Sequence, residues 1–383
     1  MGLVTPTLPT TKRRDPRVDF FRGLALVFMF WDHLPDNPLG LITIRNFGLS
    51  DAAEIFVFLA GYSAAMAWGN LLRQKGYWIA ARRILKRAIT LYGTYLLLTG
   101  LLVANACALQ LLPQSSAYKG EWSQLPVWLN DTQAWWGIVT LQYCLPLLDP
   151  LPLYIVLLLG MALTLPLLVY RPLVLGALSA CLYASTLLFE LSIPGTAANP
   201  LFFNPLGWQF LFCLGGLCAL YSDCFLPSSH SSRTRTMALL ILGTGFLLAW
   251  SWKFPELHDA FVPQTLATWL YPIDKSLPDP MRILHFLALA WFSIVVIPSG
   301  PWLDHTYSVC LRRMGRHSLF VFGTGVIVTP FLTIPAYAAG NSPVAHIVTG
   351  LAGTTLLALL ASATDRKASV IPMHASRTDA KTA

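Results

Sequence analysis

Charge is the scarce ingredient of this sequence. Asp, Glu, Lys and Arg make up 11% of its 383 residues, against about 25% in a soluble globular chain. With 55% hydrophobic residues and a mean hydropathy of +0.58, that shortage excludes an ordinary soluble domain and reads as an all-α, polytopic integral membrane protein. Metal-binding spacing is also missing. The seven cysteines (Cys107, Cys144, Cys181, Cys213, Cys218, Cys224 and Cys310) contain no C-x-x-C and lie mostly in apolar runs, so they read as packing residues. His258, His305 and His346 show no H-E-x-x-H or similar pattern, and no metal is expected. The polar, basic start has no small-residue cleavage site after it, so a cleavable signal peptide is not expected. No internal repeat is visible, which disfavours transporter folds built from matched halves.

What the sequence has is long apolar stretches. Windows able to cross about 30 Å of hydrocarbon fall near 18–34, 51–70, 88–111, 151–170, 173–189, 206–221, 236–252, 282–298, 318–336 and 344–363. Residues 132–148 are an eleventh candidate. The distribution of Lys and Arg decides between the counts, because cytoplasmic loops collect them. With ten helices and both termini inside, 21 of the 26 basic residues lie at the cytoplasmic face and five (Arg45, Lys119, Lys253, Lys275, Arg282) outside. An eleventh crossing would make the split 14 to 12. Ten is therefore the expectation, with 132–148 interfacial or re-entrant and Trp135-Trp136 at headgroup level. The net charge of +8 then reflects cytoplasmic loops and no nucleic-acid partner. Residues 1–17 form a cytoplasmic segment, 18–364 the ten-helix domain, and 365–383 a disordered cytoplasmic tail.

Most of the ionisable residues at membrane depth gather between Asp19 and Glu54. Arg22 and His33 are eleven positions apart, three turns plus about 20°, so they share one helix face roughly 16 Å apart along the axis. Read singly, Arg22 snorkels to the inner interface and His33 sits near the outer one. Read together, with acids opening the next helix, they line a water-filled or protein-lined path. Ser50 is a candidate cap of that next helix, and Asp51 suits its dipole. Glu54, one turn deeper, is expected to hold the His33 imidazole as an acidic partner; Asp32 is the competing partner. Downstream, Arg82/Lys86 and Arg83/Arg87 are i,i+4 pairs forming a two-row basic surface. It is either an ordinary positive-inside cluster or a site for a multiply charged phosphate ligand.

The motifs resemble a known family. R-G-L-A-L-V-F-M-F-W-D-H (22–33), F-V-F-L-A-G-Y-S-A (56–64) and A-R-R-I-L-K-R-A-I-T-L-Y (81–92) resemble the R-x10-H, glycine-helix and basic-run signatures of the membrane-bound acyltransferase-3 superfamily. D-A-A-E-I-F-V-F-L-A-G-Y (51–62), N-P-L-G-W-Q-F-L-F (204–212) and M-G-R-H-S-L-F-V-F (314–322) are similar to its OpgC branch, bacterial inner-membrane proteins that succinylate osmoregulated periplasmic glucans. Leu91-Tyr92 in place of Pro-x-Tyr and Ala60 in place of Ser are departures. The resemblance implies acyl-CoA, most simply succinyl-CoA, as a donor substrate with no permanently bound cofactor. Its phosphates would rest on Arg82, Arg83, Lys86 and Arg87, and its pantetheine arm would pass Arg22. His33 would serve as general base on a sugar hydroxyl or carry the acyl group. The partners implied are membrane lipid, acyl-CoA and a periplasmic glucan; a homo-oligomer is left open.

Trp208 and Gln209, at the outer mouth of their helix, offer an aromatic face and amide donors for a sugar. A free carboxylate on the acyl group calls for a cation among the five outer basic residues, and the sequence does not choose one. The rival reading is a transporter or flippase with Arg22, His33 and Glu54 as a relay; another is an accessory membrane subunit.

Overall fold

Proline opens seven of the helices, where its missing N–H and fixed φ cost nothing. In the computed structural model, which describes residues 15–110, 132–193, 202–225, 231–270 and 273–379, the helices are α1 (Pro16–Asp32), α2 (Ala52–Lys75), α3 (Tyr77–Gln110), α4 (Thr132–Val139), α5 (Pro150–Tyr170), α6 (Pro172–Phe189) and α7 (Pro205–Phe225). They continue with α8 (Ser232–Ser251), α9 (Pro255–Phe261), α10 (Gln264–Leu270), α11 (Pro280–Val296), α12 (Thr306–Arg316), α13 (Ser318–Ala338) and α14 (Pro343–Asp379). Asp15, Asp51, Ser231 and Asp279 cap α1, α2, α8 and α11 by accepting from backbone N–H groups. Between α2 and α3 the chain turns at Gly76, whose φ of 83° is open to glycine at little cost.

Among the described residues, eight helices are long and apolar enough to cross a membrane: α2, α3, α5, α6, α7, α8, α13 and α14. With α1 and α11, each 17 residues long, they occupy the ten apolar windows. Leu163, Leu173, Leu188, Leu247 and Leu359 lie exposed on these helices. A surface of that kind belongs against lipid tails. The chain is an all-α, polytopic membrane protein.

Two close helix crossings set the framework. On α1, a Cβ at Gly23 would lie 2.0 Å from the Leu311 carbonyl oxygen of α12, and one at Gly315 would lie 1.9 Å from the Asp19 carbonyl oxygen. On α2, a Cβ at Gly61 would meet the Phe212 carbonyl oxygen at 2.0 Å, while one at Gly215 of α7 would meet Phe58 at 2.1 Å. Bare backbone on both partners lets these helices touch directly. The α2/α7 pair joins α3 and α5 in the largest core, built on residues such as Leu91, Tyr95, Leu158 and Leu211.

The 132–148 stretch agrees with expectation and the end of the last helix does not. The 132–148 stretch does not cross: α4 has eight residues and is followed by an irregular return. Tyr92 and Tyr95 of α3 donate to the Val139 and Tyr143 carbonyls, and Leu145 and Leu148 are buried. The piece is re-entrant against α3. The tail expected to be disordered from 365 is instead the end of α14, helical through Asp379. Its start is pinned, because Asp365 faces Arg313, Arg316 and His317 at 3.2–3.4 Å. The N-terminal segment before residue 15 and the whole 112–131 loop, Lys119 included, lie outside the described residues.

Candidate functional site

The stripe Leu26, Met29, Phe30 and His33 keeps one face of α1 towards a cavity of about 880 Å³. Its other walls come from the start of α2, the re-entrant return, α7, the 275–277 turn and α13. His33 closes α1, with Nδ1 2.6 Å from the Met29 carbonyl oxygen. A carbonyl only accepts, so Nδ1 carries the proton and Nε2 is the basic atom of the neutral ring. A base exposed in a cavity at the end of a membrane helix is chemically usable.

Arg22 is one turn below Leu26, where the cavity ends on α1. It is on the face the spacing predicts but is 8% exposed. Its Nη2 donates to the Leu59 carbonyl (2.8 Å) and to Ser63 Oγ (2.6 Å), tying α1 to α2. Ser63 thus serves as a partner of Arg22.

Glu54 does not hold His33. It is fully buried, and Oε2 accepts the Asp51 N–H at 2.8 Å while Oε1 accepts from Arg282 Nε at 2.9 Å and Nη2 at 2.5 Å. Asp51, and not Ser50, is the cap, in a reciprocal capping box with Glu54. The D-x-x-E spacing carried that signal in the sequence. Ser50 Oγ instead lies 2.7 Å from His285 Nδ1. The His285 ring sits against Gly48 and Gly245, where any Cβ would overlap it. Asp51 also pairs with Lys275, and burial alone would raise its carboxyl. Lys275, then Arg282 and the Ala53 N–H, reverse that and hold it below the usual carboxylate range.

Trp208 and Gln209 separate. Trp208 lines the cavity but is fully buried, donating Nε1–H to the Ser276 carbonyl at 3.1 Å and standing edge-on to Phe203. Gln209 faces α6, its amide bonded to Ser179 Oγ (2.6 Å) and the Ser179 carbonyl (2.9 Å), away from the cavity. Phe202, half exposed at the wall, is an aromatic face that sequence reading missed.

The basic run occupies the first turns of α3, with Arg82, Arg83 and Lys86 exposed and Arg87 half-buried. None of the four lines the cavity. The cavity also gathers Asp32, weighed in the sequence as a partner for His33, Arg45 and Lys275 of the outer basic set, and Asp149, which the sequence left unassigned. Asp32 accepts from Thr43 Oγ1 at 2.6 Å and faces Arg45 Nη1 at 3.8 Å.

No curated protein and no solved structure matches the chain. The sequence model for the OpgC protein does, over residues 14–369, nearly the whole length and every element from α1 to the span of α14. The chain belongs to the OpgC protein family.

Proposed function

We propose that the chain is an O-acyltransferase of the bacterial inner membrane, moving a succinyl group from cytoplasmic succinyl-CoA to a sugar hydroxyl of a periplasmic glucan. Family membership supports a glucan-modifying, acyltransferase-like membrane protein. The observation that carries the chemistry is His33, whose Nδ1–H bond to Met29 leaves Nε2 as the base of a cavity-lining ring. Nε2 takes the proton of the sugar hydroxyl as its oxygen attacks the thioester carbonyl carbon. The C–S bond then breaks, and the CoA sulfur leaves with the proton returned by the imidazolium. The new bond is an ester.

The basic run on α3 supports a place for the donor's phosphates, since Arg offers bidentate contacts to them. Arg22 holds α1 against α2 beyond the end of the cavity, a positioning role. The cavity wall of Phe202, Phe203 and Trp208 beside Asp32 and Asp149 suits a sugar, which presents apolar faces and hydroxyl donors. On this reading the N-terminus and the α14 end are cytoplasmic and the 33–50 connection faces the periplasm.

The test is transfer from succinyl-CoA to a glucan by purified protein, followed as released thiol and as acylated sugar. His33→Gln should lower kcat by about 10²- to 10⁴-fold with the apparent Tm unchanged. Undiminished turnover in a folded His33→Gln protein would exclude the mechanism.

A further inference from the structure

Five outer basic residues compete to meet a carboxylate at the far end of the acyl group, and the structure separates them. Arg282 is 8% exposed and fully engaged with Glu54. Lys275 lines the cavity but is in tight contact with Asp51. Lys253 is off the cavity wall, and Lys119 lies outside the described residues. Arg45 is different. It lines the cavity with His33, its side chain is 55% exposed, and its ion pair with Asp32 is loose at 3.8 Å. It makes no hydrogen bond to the described residues, so the donors of a planar guanidinium fork are uncommitted.

Placement agrees with availability. Asp32 precedes His33 in the chain, and Arg45 reaches Asp32 from the 3₁₀ turn Ile44–Asn46, so base and cation flank one carboxylate. In a four-carbon diacid the two carboxyl carbons are roughly 4 Å apart, three single bonds in zigzag. A thioester carbonyl at His33 carries its free carboxylate about that far along the wall that His33 shares with Arg45.

Resting on the acyl-transfer reading, we propose that Arg45 is the specificity-determining residue for a dicarboxylic acyl group, receiving the free carboxylate in a forked contact while His33 acts at the thioester end. An acyl chain of equal length that ends in a methyl leaves the guanidinium facing a group it cannot bond. A site built around a charge-assisted contact discriminates strongly on that basis.

The experiment compares succinyl-CoA with butyryl-CoA, which has the same four carbons without the carboxylate. Both are given with a glucan acceptor to the purified full chain, its Arg45→Gln variant and its Arg45→Lys variant. Wild type should favour succinyl-CoA, and Arg45→Gln should lower the succinyl-to-butyryl ratio of kcat/KM by about 10- to 100-fold, the worth of a hydrogen bond to a charged group. Arg45→Lys, which keeps the charge but loses the fork, should fall between; it carries the test alone if Arg45→Gln does not fold. An unmoved ratio in an active, succinyl-preferring enzyme overturns the role of Arg45 and leaves the acyl-transfer reading standing. Wild type that prefers butyryl-CoA overturns it equally. Wild type that transfers from neither donor removes the acyl-transfer reading itself, and this inference with it.

Discussion

At the scale of single residues, Glu54 shows how one partner changes a role. Between His33 and Glu54 the sequence offers only proximity along two helices; the structure sets Arg282, 228 positions away, against that carboxylate. Removing one member of a buried ion pair leaves the other uncompensated, at a cost of about 3–5 kcal/mol. Glu54→Ala should therefore lower the apparent Tm sharply in detergent. Adding Arg282→Met should recover much of the loss, because an apolar pair replaces a stranded charge. If the two substitutions simply add, the pair is not coupled. The cap one turn earlier gives a pH signature. Lys275 and Arg282 depress the Asp51 carboxyl despite burial, so its contribution to stability is complete above the ordinary aspartate value. It is lost as pH falls through the lower folded value. Acid unfolding assigned to Asp51 should thus begin only below the ordinary aspartate range. Lys275→Met should move that onset to higher pH, and an onset that stays in place would remove Lys275 as the cause.

At the scale of helices, backbone-to-backbone approach governs. Gly61 and Gly23 each face a carbonyl oxygen 2.0 Å from where a Cβ would sit, closer than a Cβ can approach. Gly61→Ala should force α2 from α7, with a loss of about 1–3 kcal/mol. Gly93→Ala is the control: a Cβ in mid-α3 meets nothing within 4 Å, so helix propensity predicts a gain of roughly 0.5–1 kcal/mol. Equal effects at the two sites would mean that the crossing does not set stability. Neither crossing was legible in the sequence. Helix existence was legible, since some twenty consecutive apolar residues admit few alternatives to a span. So was the α1 face bearing Arg22 and His33, because helical periodicity alone fixes it. Partners were not. Gln209 turned to Ser179, Glu54 to Arg282 and Ser50 to His285 because each depends on which helices become neighbours, and local pattern does not encode that. Asp365 likewise looked like the start of a tail until the end of α12 and its capping His317 brought three basic side chains beside it.

At the scale of the whole molecule, the cavity with His33 and the basic run on α3 are separate features, and Arg22 ties α1 to α2 just beyond the end of the cavity. α3 has 34 residues, roughly 50 Å at 1.5 Å per residue, well beyond a hydrocarbon thickness of about 30 Å. On the proposed topology its first turns, with Arg82, Arg83 and Lys86, stand clear of the lipid at the inner face, and Tyr92 and Tyr95 further along hold the re-entrant return. A two-substrate reaction across a membrane needs this polarity, with a charged donor held at one face and a hydroxyl acceptor admitted at the other. The arrangement predicts opposite accessibility. In a cysteine-free background, Leu41→Cys in the exposed 33–50 connection should react with a membrane-impermeant maleimide in intact spheroplasts. Arg82→Cys should react only after the membrane is permeabilised, and added CoA should slow that reaction without affecting Leu41→Cys. Labelling of both positions from one side would place the basic run and the cavity mouth on the same face. A donor inside could then no longer meet an acceptor outside, and the division of labour between α3 and the end of α1 would fail.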